Sequence, residues 1–358
     1  MASYWALFFV VLTTVISCSI LHASTLRVQR SFLIFGIALI LILFSGLRGA
    51  SVDADSINYT SWFDELEGIP FDDIVAAKDP AFFVLSHFSH VLGLGIQLVF
   101  ICFALVSVAT KILYFKLADS FKYWHIAIYL YFCRFYFVHD MTQIRAGAAI
   151  GLASLALIFM YKNRPFLGLS IFLISIVFHP SVAIFIPIVI AIFMRRDFGS
   201  RYPLLVILIS SIFLRAHLDS FLIATGLDSY LRFSDYLSGS YQTAELSLLS
   251  LYFMTKTLLL VYLVLFQWSN LSRFWRLVIY LGVISIFLQI AFAQYDSLAL
   301  RFAEVFSLFD VQLFIAPLFI EKLGRQHRSL YLFILFALGA IFFMSAIGIM
   351  RPYQMFWS

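Results

Sequence analysis

Charge is scarce in this sequence. Of 358 residues only 12% are Asp, Glu, Lys or Arg, about half the share found in a water-soluble globule, which excludes an ordinary soluble domain. Cysteine is scarcer still: Cys18, Cys102 and Cys133 all fall inside apolar stretches with no CxxC spacing, so neither a disulfide scaffold nor a thiolate metal cluster is expected. Eight prolines and 16 glycines without a period exclude collagen-like and low-complexity chains. No Walker loop, HExxH helix or dinucleotide fingerprint occurs, so an ATPase, a zinc protease and a dehydrogenase lack support. No metal and no organic cofactor is expected. The formal charge is +5, but the basic residues stand singly or in pairs between apolar stretches, a pattern of membrane topology and not of a nucleic-acid surface.

What the chain has in excess is apolar length. Hydrophobic residues make up 63% and aromatic residues 18%, with 42 Phe, and the mean hydropathy is +0.98. The apolar runs are continuous, as spanning helices require, and do not alternate as in a membrane barrel. They fall at 4–21, 31–47, 95–115, 124–138, 144–160, 166–178, 181–194, 202–218, 247–268, 277–293, 298–320 and 330–349. This predicts an all-α, polytopic transmembrane helix bundle of about 12 spans, forming a single integral-membrane domain over residues 1–358.

Nothing basic precedes the first run, so it does not resemble a secretory signal and its start is expected outside. On twelve spans, alternate connections collect fifteen of the 24 basic residues, among them Arg27, Arg30, Lys111, Lys116 and Lys122. The positive-inside rule makes that face cytoplasmic. Both termini then lie outside, as do the two longest connections, 48–80 and 219–245, each expected to carry a short interfacial helix. No internal repeat is evident, which weakens a transporter built from inverted halves.

The outward face carries the candidate chemistry. Asp53 and Asp55 follow the second run at i, i+2, a spacing that suits a divalent metal or a general base. Arg145 stands at the amino end of an inward-running span, where the helix dipole disfavours a cation by about 0.3–1 kcal/mol unless an anion shares the site. Either a ligand anion or Asp140 would serve. Arg301 repeats that placement, with Glu304 three residues on. His179 precedes Pro180, which suits a first helical position, and an imidazole there could be base, acid or phosphate donor. Lys256 and Asp310 lie at comparable depth in two apolar runs and are expected to form a buried ion pair, since each alone would cost roughly 2.5–3.5 kcal/mol in lipid. Arg134, nearer the outer face, is expected to reach an external cavity.

Five stretches together resemble one family: RGASVDADSINY (48–59), DPAFFVLSHF (79–88), QIRAGAAIGL (143–152), FHPSVAIFIP (178–187) and LRFAEVFSLFDVQLFIAP (300–317). They are similar to the EpsG-like and Wzy-type polysaccharide polymerases of bacterial inner membranes. Asp55 and Tyr59 match the first motif of that family, Asp53 replaces a glycine, and Asp79 stands where Glu before Pro is commoner. The resemblance implies a membrane glycosyltransferase that polymerises undecaprenyl-pyrophosphate-linked oligosaccharide units into O-antigen or a related surface polysaccharide at the periplasmic face. Its partners would be the lipid-linked donor and acceptor, membrane lipids and a chain-length regulator protein, with no nucleic acid. It implies His179 and Asp55 as catalytic residues, and Arg145, Arg301, Arg48, Tyr59 and Gln143 as contacts to pyrophosphate and glycan. Three other readings stay open at this point: a multi-spanning glycosyltransferase with a lipid-phosphate monosaccharide donor and Asp53 and Asp55 as an acidic, metal-dependent motif, a lipid-linked glycan flippase or other transporter, and a purely structural role in a membrane assembly.

Overall fold

A computed structural model describes residues 1–20, 27–66, 69, 79–118, 121–194, 198–226, 246–320 and 324–357. Among them every regular element is helical, and the sole β feature is an isolated bridge between Arg48 and Met355. The chain divides into two compact units, Met1–Arg195 with Leu330–Ser358, and Arg196–Ser329.

In the first unit, α1 (Ala2–Ile20) and α2 (Arg27–Gly46) are followed by a short α3 (Ser56–Asp64), then α4 (Pro80–Val91) and α5 (Ile96–Leu117). Helix α6 (Trp124–Tyr131) runs on into a π-helix, Phe132–Thr142, and α7 (Ile144–Tyr161) and α8 (Pro165–Phe178) come next. A 3-10 turn at Pro180–Phe185 then opens into α9 (Ile186–Phe193). The second unit contains α10 (Tyr202–Ala216), α11 (Leu218–Thr225), α12 (Leu251–Tyr262), α13 (Arg273–Ala291), α14 (Asp296–Glu304) and α15 (Ser307–Ile315). Helix α16 (Arg325–Ile347) returns the chain to the first unit from Leu330.

All twelve apolar runs carry helix, but the count of twelve spans is not confirmed. Among the described residues six helices are long and apolar enough to cross a membrane, or eight if each of two bent pairs is one span. Rise per residue explains the shortfall: the 14 residues of α8 reach about 21 Å against a hydrocarbon core of about 30 Å. The run at 202–218 turns by 85° into α11, and the run at 298–320 bends by 65° between α14 and α15. The topology assigned on twelve alternating spans, with both termini outside, is not confirmed by these helices. Lys111, counted with the cytoplasmic set, is fully buried inside α5. The short helix expected in the 48–80 connection is α3, and α4 is an addition the hydropathy pattern did not indicate. Residues 67–68, 70–78 and 227–245 of the two long connections lie outside the described residues.

Helix α7 is the centre of the first unit, and its small residues explain why. An added side-chain carbon at Gly147 would strike the His139 carbonyl, and one at Gly151 would strike the Thr110 hydroxyl. Gly168 of α8 comes just as close to Met160 and the Ala156 carbonyl of α7. With no hydrophobic drive between helices in lipid, such close backbone approach is what holds a bundle together. The π-helix beside α7 is pinned from α2: Ser45 Oγ donates to the Asp140 carbonyl and Tyr136 Oη to the Leu41 carbonyl at 2.6 Å.

The segment after α16 straps the loop that follows α2. Phe356 N–H donates to the Leu47 carbonyl at 3.1 Å, Gly49 N–H to Gln354 at 2.9 Å and Arg351 N–H to Val52 at 3.0 Å, while the Tyr353 ring stacks on Phe44 at 4.0 Å. In the second unit α13 is the central element, and the expected ion pair forms beside it. Lys256 Nζ lies 2.7 Å from Asp310 Oδ2 and donates to Ser285 Oγ at 2.6 Å, and Tyr252 Oη donates to the same carboxylate oxygen at 2.9 Å.

Candidate functional site

Several first-unit elements meet on an aromatic floor. Tyr59 and Phe63 of α3, Phe82 of α4, Val99, Phe100 and Phe103 of α5, and Ile144 and Ala148 of α7 form one buried cluster, with Trp62 and Phe178 packed against it. Tyr59 belongs to this floor, Arg145 follows its Ile144, and His179 follows Phe178, which packs against it.

Arg145 lies in the first turn of α7, as the sequence predicts. Its guanidinium carbon is 4.7 Å from the centre of the Trp62 ring and 5.4 Å from that of Tyr59, within range of a cation–π attraction. The carboxylate it pairs with is that of Asp79, with the two side chains 17% and 6% exposed. Asp140, the partner considered from the sequence, is taken elsewhere: Lys111 Nζ contacts both of its oxygens at 3.0 Å, and Tyr131 donates to it. One contact joins Arg145 Nη1 to Asp79 Oδ2, whereas Arg145 Nε and Asp79 Oδ1 are buried without a hydrogen-bond partner. Burial pushes the Tyr59 phenol up to about 12, with the Arg145 charge pulling against it and the Asp55 carboxylate adding to it. Tyr59 is therefore a neutral hydroxyl at physiological pH.

Asp53 and Arg48 lie beneath, in a supporting position. Both are fully buried and joined by a 2.9 Å ion pair. Arg48 also donates to the Ser45 carbonyl at 2.6 Å and to the Met141 carbonyl, and its guanidinium sits 4.3 Å over the Phe100 ring. Asp53 Oδ1 accepts the Asp55 and Ser56 amides at 3.0 and 2.9 Å, and its Oδ2 accepts Ser56 Oγ at 2.8 Å. These bonds start α3 and spend the oxygens that an Asp53–Asp55 metal site would need. Asp55 itself is half-buried at the amino end of α3. Among the described residues no group of three His, Cys, Asp or Glu is arranged to hold a metal ion.

His179 ends α8 and caps the 3-10 turn, with Pro180 at its first position, as expected. Its Nδ1 accepts the Ser181 amide at 3.2 Å and lies 2.8 Å from Ser181 Oγ. An acceptor at Nδ1 places the proton of the neutral ring on Nε2, so His179 is equipped as a donor. Gln143 links the π-helix to α7; its amide donates to the Val138 carbonyl at 2.6 Å and its carbonyl accepts from Gly147 at 2.8 Å.

Arg301 belongs to the second unit and departs from its expected setting. The 298–320 run is broken, and Arg301 is exposed in the last turn of α14, where a helix dipole favours a cation. The dipole argument made for it therefore does not apply. Arg134, expected to reach an external cavity, is half-buried in the π-helix with its guanidinium 5.3 Å from the Phe135 ring. Hydropathy and spacing missed Asp79 and Trp62, because the contacts that define them join Arg145 to residues 66 and 83 positions away.

A model of the EpsG family matches residues 31–356, a stretch that contains every residue of this site. The chain belongs to the EpsG family. Neither the curated proteins nor the solved structures contain a significant match. Membership suggests a glycan-polymerase type of function in a multi-pass membrane protein. The Arg145 guanidinium of this EpsG-family chain stands beside indole and phenol rings. Such groups bind anionic oxygens and sugar faces and need no nucleotide.

Proposed function

We propose that this EpsG-family protein is a membrane glycosyltransferase that polymerises undecaprenyl-pyrophosphate-linked oligosaccharide repeat units into O-antigen or a related surface polysaccharide. In this reading it works at the periplasmic face of the bacterial inner membrane. A hydroxyl of the incoming lipid-linked unit attacks the anomeric carbon of the growing chain, the bond from that carbon to the pyrophosphate oxygen breaks, and undecaprenyl pyrophosphate leaves. The barrier is lowered by preorganised donors around the oxygen that gains negative charge.

The observation that carries the reading is the Arg145 guanidinium at the amino end of α7, flanked by Trp62 and Tyr59, in a chain matched to the EpsG family over 31–356. The helix end and the guanidinium both favour a diphosphate. His179 contributes the Nε2–H donor to the departing oxygen, Tyr59 and Gln143 meet the glycan, and Arg48 braces the loop that carries Asp55 and Tyr59. The reading with a lipid-phosphate monosaccharide donor and an acidic metal motif loses ground, since Asp53 has its oxygens engaged by Arg48, Ser56 and the Asp55 amide.

The test is the glycan profile of a deletion strain complemented with variants. Arg145→Ala is expected to abolish long chains while protein level and single-unit glycan persist. Arg145→Lys is expected to restore short ladders at most, because a point ammonium lacks the two-pronged contact. Wild-type ladders from Arg145→Ala would overturn the assignment.

A further inference from the structure

Asp79 is placed as a helix cap that does not cap. It occupies the N-cap position of α4, with Pro80 at the first helical position, yet its side chain makes no capping hydrogen bond. Aspartate is among the favoured residues at this position because its carboxylate binds the free amides of the first turn. Here the carboxylate is turned instead onto Arg145.

The pair it makes there is incomplete in a particular way. Arginine and carboxylate commonly meet through two parallel N–H···O bonds. In this pair one contact is made, and the Arg145 Nε–H and the Asp79 Oδ1 are both buried and unpartnered. One unused donor and one unused acceptor thus belong to the same ion pair. A hydroxyl satisfies both at once, donating to the carboxylate and accepting from the guanidinium. The Trp62 ring, 4.7 Å from the same guanidinium, supplies an apolar face beside it. Asp79 is also the one acid of the first unit, among the described residues, with a buried carboxylate oxygen lacking a partner. Asp53 is saturated, and the proton on His179 Nε2 makes that ring a donor.

We infer that Asp79 binds the attacking hydroxyl of the acceptor sugar through Oδ1 and takes its proton during transfer. This rests on the polymerase reading above. As the acceptor oxygen bonds to the anomeric carbon, its proton passes to Asp79. The bond from that carbon to the pyrophosphate oxygen breaks, with its electron pair leaving on the lipid diphosphate. Asp79 returns the proton to solvent after product departs. Arg145 holds Asp79 Oδ2 through one N–H and keeps others for the leaving group.

The experiment uses the full-length protein in nanodiscs, with lipid-linked repeat unit extracted from the deletion strain as the probe. Asp79→Asn keeps the shape of the side chain and loses the base, and is expected to slow polymer formation by roughly 100-fold or more with the KM for the lipid-linked unit little changed. Asp79→Glu is expected to retain activity. Asp79→Ala is expected to regain turnover when formate is added, which a residue with a structural role would not do. If wild-type protein makes polymer and Asp79→Asn does so at a similar rate, the inference is overturned. It is equally overturned if Asp79→Glu is inactive and formate fails to restore Asp79→Ala. If the wild-type protein makes no polymer, the polymerase reading itself fails, and the inference with it.

Discussion

At the scale of single residues, the buried ion pairs of this chain are of two kinds, those with further hydrogen bonds around them and one held by a single contact. Arg48–Asp53, Lys111–Asp140 and Lys256–Asp310 are buried pairs with further hydrogen bonds around them. In such pairs, removing one partner strands a charge at a cost of about 3–5 kcal/mol, while replacing both by apolar side chains is often neutral. Lys256→Met is accordingly expected to lower the thermal or denaturant stability of the purified protein by that amount, and Lys256→Met with Asp310→Leu to recover most of it. A double variant no more stable than the single one would mean that the pair does something other than neutralise itself. Arg145–Asp79 is of the other kind, joined by one contact and unfinished on both sides. The sequence displayed Lys256 and Asp310 as a pair because both interrupt long apolar runs at matching depth. It hid Lys111–Asp140, since Lys111 stands with Lys116 and Lys122 around a polar connection and reads as part of a cytoplasmic flank.

At the scale of elements, helix existence was legible and helix continuity was not. Each apolar run became helical because its length and hydropathy leave little alternative in lipid. The break of 298–320 after Glu304 and the turn of 202–218 at His217 involve no proline or glycine at the bend, so no local breaker announced them. The tight packing of α7 was signalled in part, by the small residues at 146–149 and 151. That packing makes a sharp comparison available. Gly147→Ala forces a methyl group against the His139 carbonyl, whereas nothing lies within 4 Å of the corresponding position at Gly36. Gly147→Ala is expected to destabilise the protein by about 1–3 kcal/mol through overpacking. Gly36→Ala is expected to be neutral or to stabilise by up to about 1 kcal/mol, the helix preference of alanine over glycine. Equal melting temperatures for the two variants would contradict the role given to α7.

At the scale of the whole molecule, composition was enough to specify an all-helical membrane protein, and five short stretches were enough to point to the EpsG family. The number of spans was not accessible in the same way, because runs of similar hydropathy differ in length and straightness, and charge alternation inherits any error in that count. The candidate site was half legible. Arg145 and His179 declared themselves through their positions at helix starts, whereas Asp79 and Trp62 join the site through contacts between distant segments. The central claim, that this chain joins lipid-pyrophosphate-linked glycans, is tested most directly by reconstituting the purified protein in liposomes with the lipid-linked repeat unit as sole substrate. The expected result is a ladder of lipid-linked oligomers, with undecaprenyl pyrophosphate released in proportion to the bonds formed and no requirement for a nucleotide sugar or lipid-phosphate monosaccharide. A reconstituted, folded protein that forms no ladder, or forms one only when a monosaccharide donor is added, would contradict the account.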